Sequence, residues 1–217
     1  MTRQSYDQHL SDLQQELLKM ASLVEEAIYR AVQSLANEDV AMAQQVIDGD
    51  HLIDQMEIEI EERCLRLIAL QQPIARDLRV ISTAIRIISH LERMADHARH
   101  IAKTTIRMDG QPLIKPLVDI PRMAALAQKM LKDSIDAYVR LDVALAEQIG
   151  IDDDAVDALY SQVFRELLTY MMEDPRTIGQ ATHLIFVGRY LERIADHAQS
   201  IAELIIYLAT GERRKFN

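Results

Sequence analysis

From Leu10 to Leu208 apolar residues return every three or four positions, the spacing that lines one side of an α-helix, and no stretch shows the alternation of a strand. Leu10, Leu13, Leu17, Met20, Val24, Ala27, Ala31 and Leu35 trace one face of a first helix that should stop at Asn37. A second begins near Glu38, and its stripe of Met42, Val46, Ile53, Met56, Ile60, Cys64 and Leu67 runs to about Leu70. Gly49 costs this helix about 1 kcal/mol and marks a place for a kink. Gln71-Gln72-Pro73 closes it, and a third helix from Ala75 toward Met108 carries Leu78, Ile81, Ile85, Ile88, Ala95 and Ala102.

Gly110, Pro112, Pro116 and Pro121 then crowd into one short stretch, the densest set of helix breakers in the chain. After it the plan repeats: a helix over 122–140, another from Asp142 through Leu159, Val163, Leu167 and Met171 toward Pro175, and a last one over 177–209. Asp39-Val-Ala-Met-Ala and Asp142-Val-Ala-Leu-Ala stand at the same place in the two halves. The pattern predicts an all-α protein of two tandem antiparallel three-helix bundles related by internal duplication, with six long helices holding about four-fifths of the residues. Residues 1–109 form the first bundle, 110–121 a linker and 122–217 the second.

The duplication is sharpest in two nine-residue stretches. His90 to Ala98 reads HLERMADHA, and at an offset of 100 Tyr190 to Ala198 reads YLERIADHA. Each copy sets a Glu and an Asp four residues apart, Glu92 with Asp96 and Glu192 with Asp196, so both carboxylates share one helix face and flank the apolar stripe. Antiparallel helices rise equally from a shared corner, so equal counts mean equal heights. Counted from Pro73, Asp54 and Glu92 are each 19 residues away, and Asp50 and Asp96 each 23. About the Pro175 corner the same symmetry pairs Asp157 with Glu192 and Asp153 with Asp196. Each bundle should therefore hold a layer of four carboxylates, with Glu57 and Glu61 extending the edge of the first alone.

Four partly desolvated acids repel one another unless a cation neutralises them. A multivalent metal is one solution: all-oxygen ligation favours Mg²⁺, Mn²⁺ or Ca²⁺, and added imidazole would bring iron or zinc into range. Arginine is the other. Arg93 and Arg99 lie three residues either side of Asp96, Arg193 precedes Asp196, and Arg189 precedes Glu192. Metal is the favoured reading, because a duplicated and height-matched layer is more than a solvated helix face. His97 and His197 point away from the stripe and read as exposed, not as ligands. The Glu-x-x-His spacing of diiron bundles is missing, as are a phosphate loop and a nucleophile–base grouping, and lone Cys64 reads as a small core residue.

Composition narrows the classes further. A net charge of −10 over 217 residues argues against direct nucleic-acid binding. A single cysteine precludes an internal disulfide, the polar start does not look like a signal peptide, and no uncharged apolar run is long enough to cross a membrane. A cytoplasmic protein that reaches membranes only through partners is expected. Against the acidic background Arg79, Arg86, Arg93, His100 and Arg107 fall at strict seven-residue intervals, a basic ridge expected on the outer side of the third helix. Such a ridge is either solvated surface or a dock for an acidic partner.

The two motif stretches, the Gln71-Gln-Pro-Ile-Ala-Arg-Asp-Leu-Arg79 turn and Tyr170-Met-Met-Glu-Asp-Pro-Arg-Thr-Ile178 resemble the PhoU family of phosphate-uptake regulators over essentially the whole chain. That family's acid-x-x-x-Asp motifs map onto Asp50/Asp54, Glu92/Asp96, Asp153/Asp157 and Glu192/Asp196, with Ala95 and Ala195 where members often carry Gly. The resemblance implies a cytoplasmic homodimer that binds metal, iron, zinc, manganese or magnesium, in multinuclear clusters. It implies negative control of phosphate uptake and of the phosphate-starvation response. Its implied partners are the ATPase subunit of the phosphate ABC transporter and a sensor histidine kinase. Three functions compete on these grounds: a metal-binding regulatory adaptor, which is favoured, a carboxylate-bundle metalloenzyme, and a metal-free helical scaffold.

Overall fold

A computed structural model describes residues 3–108 and 111–216, with side chains from Gln8 onward. Helices hold 89% of it. They are α1 (Arg3–Ala36), α2 (Val40–Gln71), α3 (Ala75–Met108), α4 (Asp119–Arg140), α5 (Val143–Glu173) and α6 (Ile178–Thr210), with one 3₁₀ turn at Pro175–Thr177. Helices α1–α3 pack on one another as one antiparallel bundle and α4–α6 as another. No strand occurs among the described residues.

Local chemistry explains the boundaries. Asp39 and Asp142, the paired residues of the duplicated Asp-Val-Ala segment, are N-caps: each carboxylate accepts from the backbone N–H three residues on, Met42 at 2.8 Å and Leu145 at 3.0 Å. Each cap contributes about 1 kcal/mol to its helix. Gly211 closes α6 at φ 82, a left-handed backbone that glycine adopts without strain, and Arg79 Nη1 lies 2.9 Å from where a Cβ would stand.

One boundary differs from the sequence reading. The helical turn of α4 starts at Asp119, inside the expected linker, because Pro121 sits in a first turn where an N–H has no intrahelical partner to lose. At Gly49 no break occurs, and α2 runs on through it. Asp109 and Gly110, the start of the linker, fall outside the described residues. The rest of the linker is strapped to the second bundle: Ile114 N–H donates to Gln180 Oε1, Gln180 Nε2 donates to Pro112 O at 3.1 Å, and Lys115 pairs with Glu166 on α5.

The two bundles dock along α3 and α6, with α1 against α4 beside them, and one apolar core runs through both. Gln128 Nε2 on α4 reaches Glu25 O on α1 at 3.3 Å. Cys64 is fully buried in this core, and burial pushes its thiol up to about 12, so it packs as an inert apolar side chain.

Candidate metal layers and the seam between the bundles

In the first bundle the structure brings Asp50 of α2 and Asp96 of α3 to one height, and Arg99 holds them together. Its Nε is 2.8 Å from Asp50 Oδ2, a charge contact off the line for a hydrogen bond, and its Nη2 donates to Asp96 Oδ1. Burial raises the Asp50 carboxyl above its usual range and Arg99 opposes that rise. Glu92 meets a different neighbour from the one its height suggests. Asp54 lies on the exposed side of α2, whereas half-buried Glu57 is turned toward α3 and is the α2 acid that acts on Glu92. Burial first, then Asp96, pushes Glu92 up to about 7. Arg93 lies 3.4 Å from both Glu92 and Asp96 but is largely exposed, so its charge is screened. Burial and then Glu61 raise Glu57 as well.

The second bundle gathers all four expected carboxylates. Asp153 on α5 is 7% exposed, and burial first, then Asp157, Asp196, Asp154 and Glu192, pushes it up to about 7. Asp157 is raised by burial and then by Asp196. Glu192 is raised by burial against the opposing pull of Arg189, which donates to it. Arg193 pairs with Asp196 at 3.0 Å across exposed surface. No partner meets Asp153 Oδ1, although it is buried. A buried carboxylate oxygen without a donor costs free energy unless a proton or a cation meets it. All-oxygen donors and that orphaned atom suit a hard divalent ion. Among the described residues no three Asp, Glu, His or Cys side chains converge on one point, so ligation requires Asp157 and Asp196 to turn inward from the rim toward Asp153.

His97 and His197, expected on open surface, are half-buried where α3 crosses α6. His90 Nδ1 and His197 Nδ1 lie 3.1 Å apart, and the His97 and His197 rings stack at 5.7 Å. Tyr190 stacks on His97 at 5.8 Å and on His100 at 5.2 Å. The contact of 90 with 197 and that of 190 with 97 are the same contact seen from each repeat, so the motif helices pack as pseudo-twofold twins. Burial drives His97 and His197 down to about 4, helped by His100 beside the first and His90 beside the second. Side chains facing away from one bundle's stripe face the other bundle, which no single-helix projection contains. A signal was present: His90, His97, Tyr190 and His197 repeat at seven residues, as a second buried face would.

The basic ridge borders this seam instead of facing outward throughout. His100 is half-buried against Tyr190 and Arg79 is half-buried under Gly211, while Arg86 and Arg107 are exposed and form no ion pair among the described residues. Arg93 is already engaged by Glu92 and Asp96.

These elements define a duplicated three-helix-bundle protein, joined back to back through its motif helices, with a carboxylate layer in each repeat. The model of the PhoU domain matches residues 17–105 and again 120–205. The chain belongs to the PhoU family. A protein of Aquifex aeolicus described as a phosphate-specific transport system accessory protein PhoU homolog is 46% identical over 203 residues, 94% of this chain and 92% of the relative. One of Clostridium acetobutylicum with the same description is 42% identical and covers 100% of both. The crystal structure of PhoU from Pseudomonas aeruginosa matches with a TM-score of 0.92 at 40% identity, covering 95% of this chain and 100% of that one. That of the phosphate transport system regulatory protein PhoU from Streptococcus pneumoniae gives 0.90 at 33% identity, covering 97% and 99%. No described helix is long and apolar enough to cross a membrane.

Proposed function

We propose that this chain is a cytoplasmic regulatory adaptor of phosphate transport that acts by binding and not by turnover. The observation that carries the reading is that relatives described as accessory proteins of the phosphate-specific transport system match this chain over nearly its whole length. In this reading the protein holds down phosphate uptake through the ATPase subunit of a phosphate ABC transporter, and the starvation response through a sensor histidine kinase. The acid layers take divalent metal, which links ion occupancy to the rigidity of each bundle. The exposed row of Ile58 and Leu65 on α2 and of Leu168 and Met172 on α5 offers apolar area for a second copy of the chain or for a partner.

Arg86 and Arg107 are the ridge members free to meet an acidic partner, and exposed charges steer association with a range of about 8 Å at physiological salt. Changing Arg86 and Arg107 to Glu should leave the helical fold intact and reduce capture of the transporter ATPase or the kinase several-fold, with wild-type capture itself weakening as salt rises. Arg79 and Arg93 make poorer tests, since reversing them disturbs the seam and the first acid layer. Undiminished capture of both partners by a folded double variant removes the ridge from the docking surface. Failure of the parent chain to bind either partner removes the adaptor reading itself.

A further inference from the structure

Beyond α6 the chain turns back on the second bundle. Gly211 ends the helix, and residues 212–216, Glu-Arg-Arg-Lys-Phe, return along α5 and α6. Arg214 Nη1 donates to Glu147 Oε1 on α5 at 3.1 Å, and Phe216 N–H donates to Glu203 Oε1 on α6 at 2.8 Å. The Phe216 ring lies against Gly150, where a Cβ would stand 2.7 Å from its Cδ1. Arg213 adds a cation–π contact 5.5 Å from the centroid of the Tyr207 ring. Two acids and a missing side chain thus make a socket for a cationic residue followed two positions on by an aromatic one. The first bundle has no such socket. Asp39 and Asp142 set the offset of α2 from α5, so Gln44 stands for Glu147 and Ile47 for Gly150, while at the offset of 100 Lys103 stands for Glu203. The first copy has lost both carboxylates and filled the notch.

We propose that this socket is a docking site for a basic–aromatic segment of a partner protein, and that residues 212–216 occupy it in cis as a competitor which such a segment displaces. The contacts suit a latch that opens. Arg214 and Glu147 are 54% and 50% exposed, so solvent screens the pair, and Phe216 is only partly buried. What the socket reads is a cation, a ring and one backbone N–H, none of which has to belong to this chain. A tether of a few residues holds the competitor at an effective concentration on the order of 1 mM, so a segment of about 0.1 mM affinity meets a site closed about tenfold. The inference goes beyond the adaptor reading and uses neither the layer carboxylates nor the basic ridge.

The test is fluorescence anisotropy of a labelled, amidated Glu-Arg-Arg-Lys-Phe peptide titrated with full-length protein. Arg214→Ala with Phe216→Ala empties the socket and should tighten peptide binding about tenfold over the parent. Adding Gly150→Ile, which gives the second bundle the side chain of the first, should abolish binding, and Glu203→Lys should weaken it at least about tenfold. Far-ultraviolet circular dichroism checks that each variant folds, and Gly150→Ala, which adds a Cβ together with helix propensity, keeps the notch testable if Gly150→Ile unfolds. Peptide that binds neither protein, or that still binds the emptied chain carrying a folded Gly150 substitution, overturns the docking site. Equal affinity for the parent and the emptied variant overturns the competition in cis. Self-association of the parent that is lost on emptying the socket shows the segment passing between two copies, which overturns it as well.

Discussion

In the first bundle the arginine inside the acid layer is Arg99, three residues after Asp96; in the second it is Arg189, three residues before Glu192. The positions are exchanged at the offset of 100, since Ser89 stands where Arg189 does and Gln199 where Arg99 does. Each layer is therefore neutralised from the opposite end. The first is closed at Asp50 and leaves Glu92 raised to about 7; the second is closed at Glu192 and leaves Asp153 raised to about 7. Two copies of one motif thus carry the same carboxylates and expose different ones, because a single cation on a neighbouring turn decides which acid bears the cost of burial. The seam shows the reverse: His97 and His197 remain equivalent and meet at the pseudo-twofold axis.

The largest expected effect breaks the comparison at its corner. In chelator at pH 8, Asp50→Asn strands part of the charge of Arg99 and should cost about 2 kcal/mol, whereas Asp153→Asn removes an acid with no partner and should be neutral or stabilising by roughly 1 kcal/mol. The sign for Asp153 follows from linkage. Its folded pKa lies above its unfolded value, so its favourable contribution is complete below about pH 4 and is lost as pH rises to about 7. Urea midpoints of both variants at pH 5 and pH 8 measure this, and equal losses for the two at pH 8 would remove the distinction between the corners.

A somewhat smaller effect tests the seam that the repeats share. His97 and His197 have folded values depressed to about 4, so their contribution is intact above their unfolded pKa of about 6.5 and is lost as pH falls from there toward 4. The loss should reach roughly 1 kcal/mol for each. A double His97→Gln, His197→Gln variant should show a flatter stability curve across pH 4–6.5, read by urea denaturation in chelator. An unchanged slope would mean that the seam opens without cost to these rings.

The smallest concerns the residue before each buried Asp. It is Gly49 in the first bundle and Asp152 in the second, where Asp152 accepts from Lys129 at 2.5 Å. A Cβ at Gly49 would meet nothing within 4 Å, so Gly49→Ala should stabilise by about 0.5–1 kcal/mol through helix propensity alone. Thermal unfolding reads it, and a loss of stability would show that α2 needs its glycine at this position.

Much of the acid layer was legible in the sequence. Counting from Pro73 placed Asp50 level with Asp96, and Arg99 holds both. Counting from Pro175 placed Asp153 with Asp196, which are close electrostatic neighbours. What counting omitted was azimuth: Asp54 and Glu92 share a height, but Asp54 turns outward and Glu57 takes its place beside Glu92. Arg99 stood out in the sequence as a partner of Asp96 three residues away, and nothing there tied it to Asp50 on another helix.

The sequence by itself determined the six helices, their caps at Asp39 and Asp142, the duplication, and the heights at which carboxylates meet. Each of these follows from contacts within four residues or from the constant rise of a helix away from a corner. Only the tertiary structure decided that a second face of α3 and α6 is buried, that His97 and His197 stack across it, and which arginine closes which corner. Those outcomes depend on how two finished bundles dock and on the direction in which long side chains reach between helices, quantities set by shape and charge across the whole molecule and by no local pattern.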